Sequence, residues 1–349
     1  MSDDDSLQTI LNDILSEYAS ASANEELAVS AADEEVSEIT SKSAVVFLQR
    51  LKSRFPAKLE SSQEIETEFE SAVLRTWRKP FDLLDLLFYV CLEVASEFSS
   101  EHKSESSKHD HVQTALARQQ ANACLVFNEI VHLLKSGFPK GAHQHWKTLH
   151  EIACVSYFIS KHGEDMAKRF LDYEAVENYY QAQAIRGHQQ KMDCEMLSEN
   201  DFKAIKKEFN KMKKRHGSDF VKKANYPYGW VPRTVLKTRS LKEIEKSVKL
   251  DMLRPYYDVA NYNVFGGPKG LMFKLGTMKN MGKGVIVPVG PSNYGLADPG
   301  KCAAISLGQI MACVLLADST VEKLIVVEAL RVLVDEICNA FCEIQAEFS

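Results

Sequence analysis

HVQTALARQQANACLVFNEIVHLLK-SGFPKG-AHQHWKTLHEIACVSYFISKHG, residues 111–163, is the stretch that decides the fold. Leu116, Val126, Ile130, Leu133 and Leu134 recur at the spacing of one helix face. Residues 111–135 are therefore expected to be helical, with those side chains inward. Ser136-Gly137 stops the helix, because glycine takes the left-handed cap conformation. Phe138-Pro139-Lys140-Gly141 reads as a turn, and residues 142–161 as the next helix, ending at His162-Gly163. A third helix, with tyrosines at 173, 179 and 180, is expected from about Glu164 to Lys191. Connections this short make antiparallel neighbours, the geometry of an up-and-down bundle.

Toward the C-terminus, a basic helix is expected at about 200–215. Irregular chain follows through Tyr226-Pro227-Tyr228-Gly229-Trp230-Val231-Pro232. Ser240 and Glu243 form a capping box for another helix, and Met252–Val264 continues as helix. Nine of the sixteen glycines fall in 266–300, which marks a long loop of the kind that often carries function. A short hairpin is expected there, through Leu271–Leu275 and Val285–Val289. Cys302–Glu347 is helical again, with Ser319/Glu322 as a second capping box.

Toward the N-terminus, Pro80 reads as a first-turn proline opening Phe81–Phe98, a segment apolar nearly all round and so buried. Residues 99–110 read as a polar loop, 44–55 as a helix and 19–43 as an Ala/Ser/Glu-rich linker. Leu7, Ile10, Leu11, Ile14, Leu15 and Tyr18 mark a short amphipathic helix. The fold class is all-α: an antiparallel helical bundle with an irregular Gly-rich insertion before the C-terminal helices. Three regions are expected, an acidic arm (1–43), an N-terminal helical region (44–109) and the bundle (110–349). The chain has no internal repeat.

At 349 residues, 45% hydrophobic and 26% charged, the chain has an ordinary globular composition and enough length for a sizeable core. No apolar run reaches the roughly 18 residues of a membrane span; the closest, Cys302–Ala317, is interrupted by Gln309. Met-Ser-Asp-Asp-Asp is the opposite of a basic signal-peptide start. The eight cysteines form no Cys-x-x-Cys pair and sit mostly in apolar helical stretches. They read as buried thiols in a reducing compartment, so a cytoplasmic location is expected.

The formal charge of −6 hides a split. Residues 1–41 hold eleven acids and no Lys or Arg, while 203–249 holds fifteen Lys/Arg against four acids. Lys206, Lys207, Lys211, Lys213, Lys214, Arg215, Lys222 and Lys223, with Tyr228 and Trp230 nearby, are the candidate nucleic-acid-binding residues. The cations would neutralise phosphates and the aromatics would stack on bases. The bland alternative is a solvated helix face. The acidic arm is expected to fold back over 203–249 and screen it from polyanions, or to serve as a binding element for a protein partner.

Metal motifs are incomplete. Glu129-x-x-His132 is one of the two such motifs a di-metal carboxylate bundle needs. His143, His145, His150 and His162 crowd one helix, with His143 and His150 on a common face. A zinc site needs three or four converging ligands, so no metal and no cofactor is assigned. Gly266-Gly267-Pro268-Lys269-Gly270 and Gly282-Lys283-Gly284 match neither a phosphate-binding loop nor a dinucleotide fingerprint. There is no Gly-x-Ser-x-Gly elbow.

The pattern Arg118-(x)10-Glu129-(x)3-Leu133-Leu134-Lys135-Ser136-Gly137-(x)4-Ala142-(x)3-Trp146-Lys147-Thr148-Leu149-His150-Glu151 resembles a bacterial family called domain of unknown function 5677. The resemblance extends over roughly 110–345. It implies a helical domain whose later Tyr-rich helix carries an Arg-to-His spacing like that of HEPN-type helical ribonucleases. There, a His near the ribose hydroxyl and an Arg at the phosphate would cleave RNA without a metal. In this chain Asp258 stands where the Arg is expected and Phe265 where the His is expected. A phenyl ring moves no proton, and a carboxylate repels phosphate. Lys147 stands where the family usually has Arg, keeping the charge without the planar fork.

Two readings follow. The first is an interaction or regulatory protein, homodimeric as the HEPN resemblance implies, with the apolar final helix (Leu324, Val327, Leu330, Leu333, Ile337) supplying either the pairing face or simply core, and with bacterial stress or phage defence as the setting the resemblance implies. The second is an RNA-binding or RNA-cleaving enzyme with a relocated site. Its candidate catalytic residues are Arg118, Lys147, His150, Glu151, Tyr257 and Asn261. Arg118, Lys147 and Glu151 could equally form a structural ion clamp.

Overall fold

The structure is a computed structural model that describes residues 7–22, 33–104, 110–188, 197–264, 267–269 and 290–348. The expected hairpin segments and Phe265 lie outside the described residues, among which every regular element is helical. The chain divides into two compact units, residues 1–72 and 73–349.

The first unit holds α1 (Leu7–Ser22) and most of α2 (Asp33–Thr76). The amphipathic spacing read from Leu7 to Tyr18 is a helix, with Ile10 and Ile14 buried. Arg50 on α2 donates to both carboxylate oxygens of Glu17 on α1, at 2.7 Å each. Helix α2 begins at Asp33 and runs through Pro56, so part of the expected linker and the stretch 44–55 form one helix.

The second unit is the bundle. Asp110 caps α4 (His111–Lys135) by accepting the Gln113 N–H at 2.9 Å. Gly137, at φ 77°, ends that helix as the Ser-Gly pair predicts. After α5 (Pro139–His162), the expected third helix is broken at Tyr173 into α6 (Glu164–Asp172) and α7 (Glu174–His188). The Tyr173 ring turns inward onto Phe220, 5.2 Å between centroids, in a space that Gly229 leaves open. Helix α8 (Glu199–His216) follows its Ser198 cap, then α9 (Leu241–Val248) behind Ser240 and α10 (Arg254–Val264).

Helix α11 (Ala297–Leu316) packs against α4, α5 and the final helix α12 (Val321–Glu347). It is long and apolar enough to cross a membrane by length and composition, but it lies largely inside the bundle. The cap of α12 is Thr320, one residue past the expected Ser319, and it accepts the Lys323 N–H at 3.3 Å. Helix α3 (Arg78–Ser104) lies against α4 and α12. Trp77, which precedes α3, packs at a tilt against Phe341 and donates its indole N–H to the Asn293 side chain at 2.8 Å. Trp146 on α5 likewise donates to Ser306 on α11 at 2.9 Å. The seven described cysteines are free thiols, five of them buried.

Candidate functional site

Helix α5 carries His143, Lys147, His150, Glu151 and Cys154 at helical spacing along one side. Facing them, α9 contributes Glu245 and α10 contributes Arg254, Tyr257 and Asn261; both helices pack on α5. The sequence folds α9 this way because Leu241 and Ile244 form its apolar stripe and are buried. Glu245, four residues after Leu241, falls on that stripe and is carried inside with it.

The floor of the site is a buried polar chain. His150 Nε2 meets Glu245 Oε1 at 2.8 Å, and both side chains are fully buried. Arg254 donates Nε to the other oxygen, Oε2, at 2.8 Å, and a terminal guanidinium nitrogen also reaches Oε2. Arg254 closes onto Asp258 as well, at 3.7 Å. Cys154 Sγ lies 3.6 Å from His150 Nε2. Burial, reinforced by the nearby carboxylates Glu245 and Glu151, pushes the Cys154 thiol well up. It is therefore protonated at neutral pH and is no ready nucleophile.

The rim is partly exposed. Lys147 Nζ donates to Asn261 Oδ1 at 2.5 Å and stands 4.8 Å from the Tyr257 ring centre. Arg254 lies over the same ring at 4.6 Å. Burial lowers the Lys147 pKa, with Glu151 opposing that and Arg254 adding to it. Tyr228 donates its hydroxyl to Glu151 Oε1 at 2.5 Å. Burial and the neighbouring Glu151 carboxylate raise the Tyr257 hydroxyl to about 12, so it is a proton donor throughout the neutral range. Each cation of the cluster faces a carboxylate or amide oxygen, so no net positive pocket for an anion is formed.

Of the six residues expected to form a relocated site, five converge here: Lys147, His150, Glu151, Tyr257 and Asn261. Arg118 does not join them. It is exposed on α4, 3.9 Å from Glu174, because its position falls on the polar side of that helix. The expected clamp of Arg118 with Lys147 and Glu151 is therefore replaced by one of Arg254, Glu245 and His150.

The nucleic-acid candidates divide in the same way. Lys206, Lys207, Lys211, Lys213, Lys214, Arg215, Lys222 and Lys223 are exposed. Lys211 pairs with Glu208 at 3.0 Å and Arg215 with Asp172 at 2.9 Å. Trp230 is buried edge-on between Phe158 and Phe170, and Tyr228 is committed to Glu151. Trp230 therefore cannot offer its face to a base, which leaves the exposed Tyr226 and the half-buried Tyr228 as the aromatics beside the cationic helix face. Glu129 reaches across to His145, 3.3 Å away, and not to a metal partner on its own helix.

Sequence reading missed Cys154, Glu245 and Arg254. Two signals were present. Cys154 stands four residues after His150, the spacing of a helical ligand pair, and Glu245 interrupts an apolar stripe.

His143 supplies a pH prediction. It is buried against Trp146, 5.5 Å between ring centres, and neither ring nitrogen has a well-formed hydrogen bond. Burial lowers its pKa to about 4, although Asp298 and the Tyr256 backbone favour the charged form. The unfolded chain therefore binds a proton that the folded one refuses between about pH 6.5 and 4. Stability is complete above that window and falls as pH drops through it, by about 3 kcal/mol at most. His143→Phe is expected to remove this part of the acid sensitivity, seen as a smaller loss of melting temperature between pH 7 and pH 4.

Residues 113–283, spanning α4 through α10, match a family of unknown function (DUF5677). The match is shorter than the expected 110–345. No curated protein and no solved structure matches the chain.

Proposed function

We propose that this chain, whose residues 113–283 match a family of unknown function (DUF5677), acts as an interaction or regulatory protein whose helical domain docks a partner helix. The observation that carries this is an open apolar groove of about 590 Å³ between α3 and α12. Leu86, Val90, Ile325, Ala329, Val332 and Leu333 line it, with Glu328 and Glu336 at its edge. Leu86 and Ile325 are 46% and 64% exposed, so the apolar face is uncovered. Leu330 and Ile337, two of the five residues expected to pair subunits, face the core.

The charge around the groove selects the occupant. Helix α12 carries six acids against Lys323 and Arg331, and on α3 Glu93 adds to them, while Asp82 and Asp85 are paired with Arg78 and Lys135. A second copy using the same face would set acid against acid, since an isologous contact brings a surface onto itself. An amphipathic helix with an apolar stripe and Lys/Arg flanks fits better, in the helix-in-groove mode. A labelled Leu/Lys amphipathic peptide is expected to bind the full chain. Ile325→Lys with Val332→Lys is expected to weaken that binding tenfold or more, since about 1.4 kcal/mol is a factor of ten. Equal binding by the double variant would refute the reading, as would a solution mass showing a dimer that the variant dissolves.

A second reading, an RNA-acting enzyme, rests on the convergence of Lys147, His150, Glu151, Tyr257 and Asn261. Its test is cleavage of a single-stranded RNA by pure protein, abolished by Lys147→Ala. The closed pairing of each charge in the cluster supports the first reading over this one.

A further inference from the structure

We infer that His150, Cys154 and Glu245 form a binding site for a divalent metal of the zinc class. Each offers one donor atom, these atoms lie within 4.8 Å of one another, and all three residues are buried. The donors are an imidazole nitrogen, a sulfur and a carboxylate oxygen, the set that zinc and its close relatives take. His150 and Cys154 are one helical turn apart on α5, so the backbone holds them on one face.

The separation of the two α5 ligand atoms fits the ion. Zinc–sulfur and zinc–nitrogen bonds of about 2.3 and 2.05 Å at a tetrahedral angle separate the two ligand atoms by about 3.6 Å. Sγ and Nε2 are 3.6 Å apart. Nε2 and Oε1 are 2.8 Å apart, a hydrogen-bond distance. The same geometry asks about 3.3 Å of them, so this contact opens by about half an ångström as the ion replaces the shared proton.

Glu245 presents one oxygen to His150 while Arg254 holds the other at 2.8 Å. A carboxylate ligand is oriented by an outer partner in this way. A thiolate and a carboxylate offset the two charges of the ion, which leaves the Arg254 charge to Asp258, 3.7 Å away. On binding, the S–H bond breaks, the S–metal bond forms and the thiol proton leaves to solvent. Neutral His150 would coordinate through Nε2 and carry its proton on Nδ1, which has no hydrogen-bond partner. That cost and the count of three protein ligands place the affinity below that of a four-ligand structural site.

Cobalt(II) reports the site directly, because a thiolate ligand gives an intense charge-transfer absorption. Chelator-treated full-length protein titrated with cobalt is expected to develop that band and to saturate at one ion per chain. Zinc added afterwards is expected to bleach it. Cys154→Ser should lose the band, and Cys342→Ser, which removes an exposed thiol, should keep it. No band in the wild-type chain overturns the proposal whatever the variants do. A band that survives in Cys154→Ser and vanishes in Cys342→Ser overturns it equally, as adventitious surface binding. Unchanged helical circular dichroism in Cys154→Ser separates loss of a ligand from loss of the fold.

Discussion

Glu245→Gln is expected to destabilise the bundle by about 3–5 kcal/mol, the cost of removing one member of a buried ion pair. The carboxylate is fully buried between His150 and Arg254, so water cannot replace it. Arg254 keeps Asp258, more exposed and 3.7 Å away, as its remaining carboxylate, together with the Tyr257 ring at 4.6 Å. The amide that replaces the carboxylate also turns an NH₂ toward the guanidinium, which offers no acceptor, or toward His150, which accepts it only by carrying its proton on the unpartnered Nδ1. Urea denaturation should show a lower midpoint with an unchanged slope. Adding Arg254→Met to Glu245→Gln should recover part of the loss, because the stranded charge goes with it. A double variant no more stable than Glu245→Gln alone would show that Arg254 contributes by packing and not by charge.

Gly300→Ala is expected to cost about 2–3 kcal/mol, even though alanine is favoured over glycine in a helix by about 1 kcal/mol. Gly300 is in α11, and a Cβ there would stand 2.3, 2.6 and 2.9 Å from three carbons of the Phe341 ring. That ring cannot retreat. It is fully buried, with Trp77 at 5.8 Å and Phe81 at 6.4 Å between centroids. The helices α11 and α12 must therefore move apart, loosening their packing with α3. Thermal unfolding is expected to fall by several degrees, and Gly300→Ala with Phe341→Leu should regain part of that. A Gly300→Ala variant as stable as the parent would mean the ring has more freedom than its packing indicates.

The core of the bundle was legible because two local signals agree. The apolar spacing through Leu116, Ile130 and Leu134 sets a helix, and Gly137 and Gly163 mark where helices must stop. Gly137 and Gly163 do sit at φ 77° and 72°. The break at Tyr173 was not legible, since the helical spacing runs on through it and the cause is a ring packed against Phe220, forty-seven residues away. Trp230 misled for a different reason. Prolines and a glycine around it mark irregular backbone, which says nothing about exposure, and the indole fills a gap between Phe158 and Phe170.

Half of the candidate site was legible in the same sense. Lys147, His150 and Glu151 share a face of α5, and Tyr257 and Asn261 share a face of α10. That the faces meet follows from packing. The member that organises them, Glu245, looked like one of two acids set between two lysines in a short helix. Only its place beside Ile244 on the buried stripe distinguished it.

Helix α11 has one more consequence, for the order of events during synthesis. It covers α4 and α5, yet it is translated after residue 296. At about 5–20 residues per second, roughly 8–30 seconds pass between the end of α5 and the end of α11. Through that interval Leu116 and Trp146, fully buried in the finished bundle against Val314 and Ser306 of α11, lack that cover. The nascent chain must be shielded or remain loosely collapsed until its late segment leaves the ribosome, and a premature stop before residue 297 leaves a sticky fragment in place of a shorter domain.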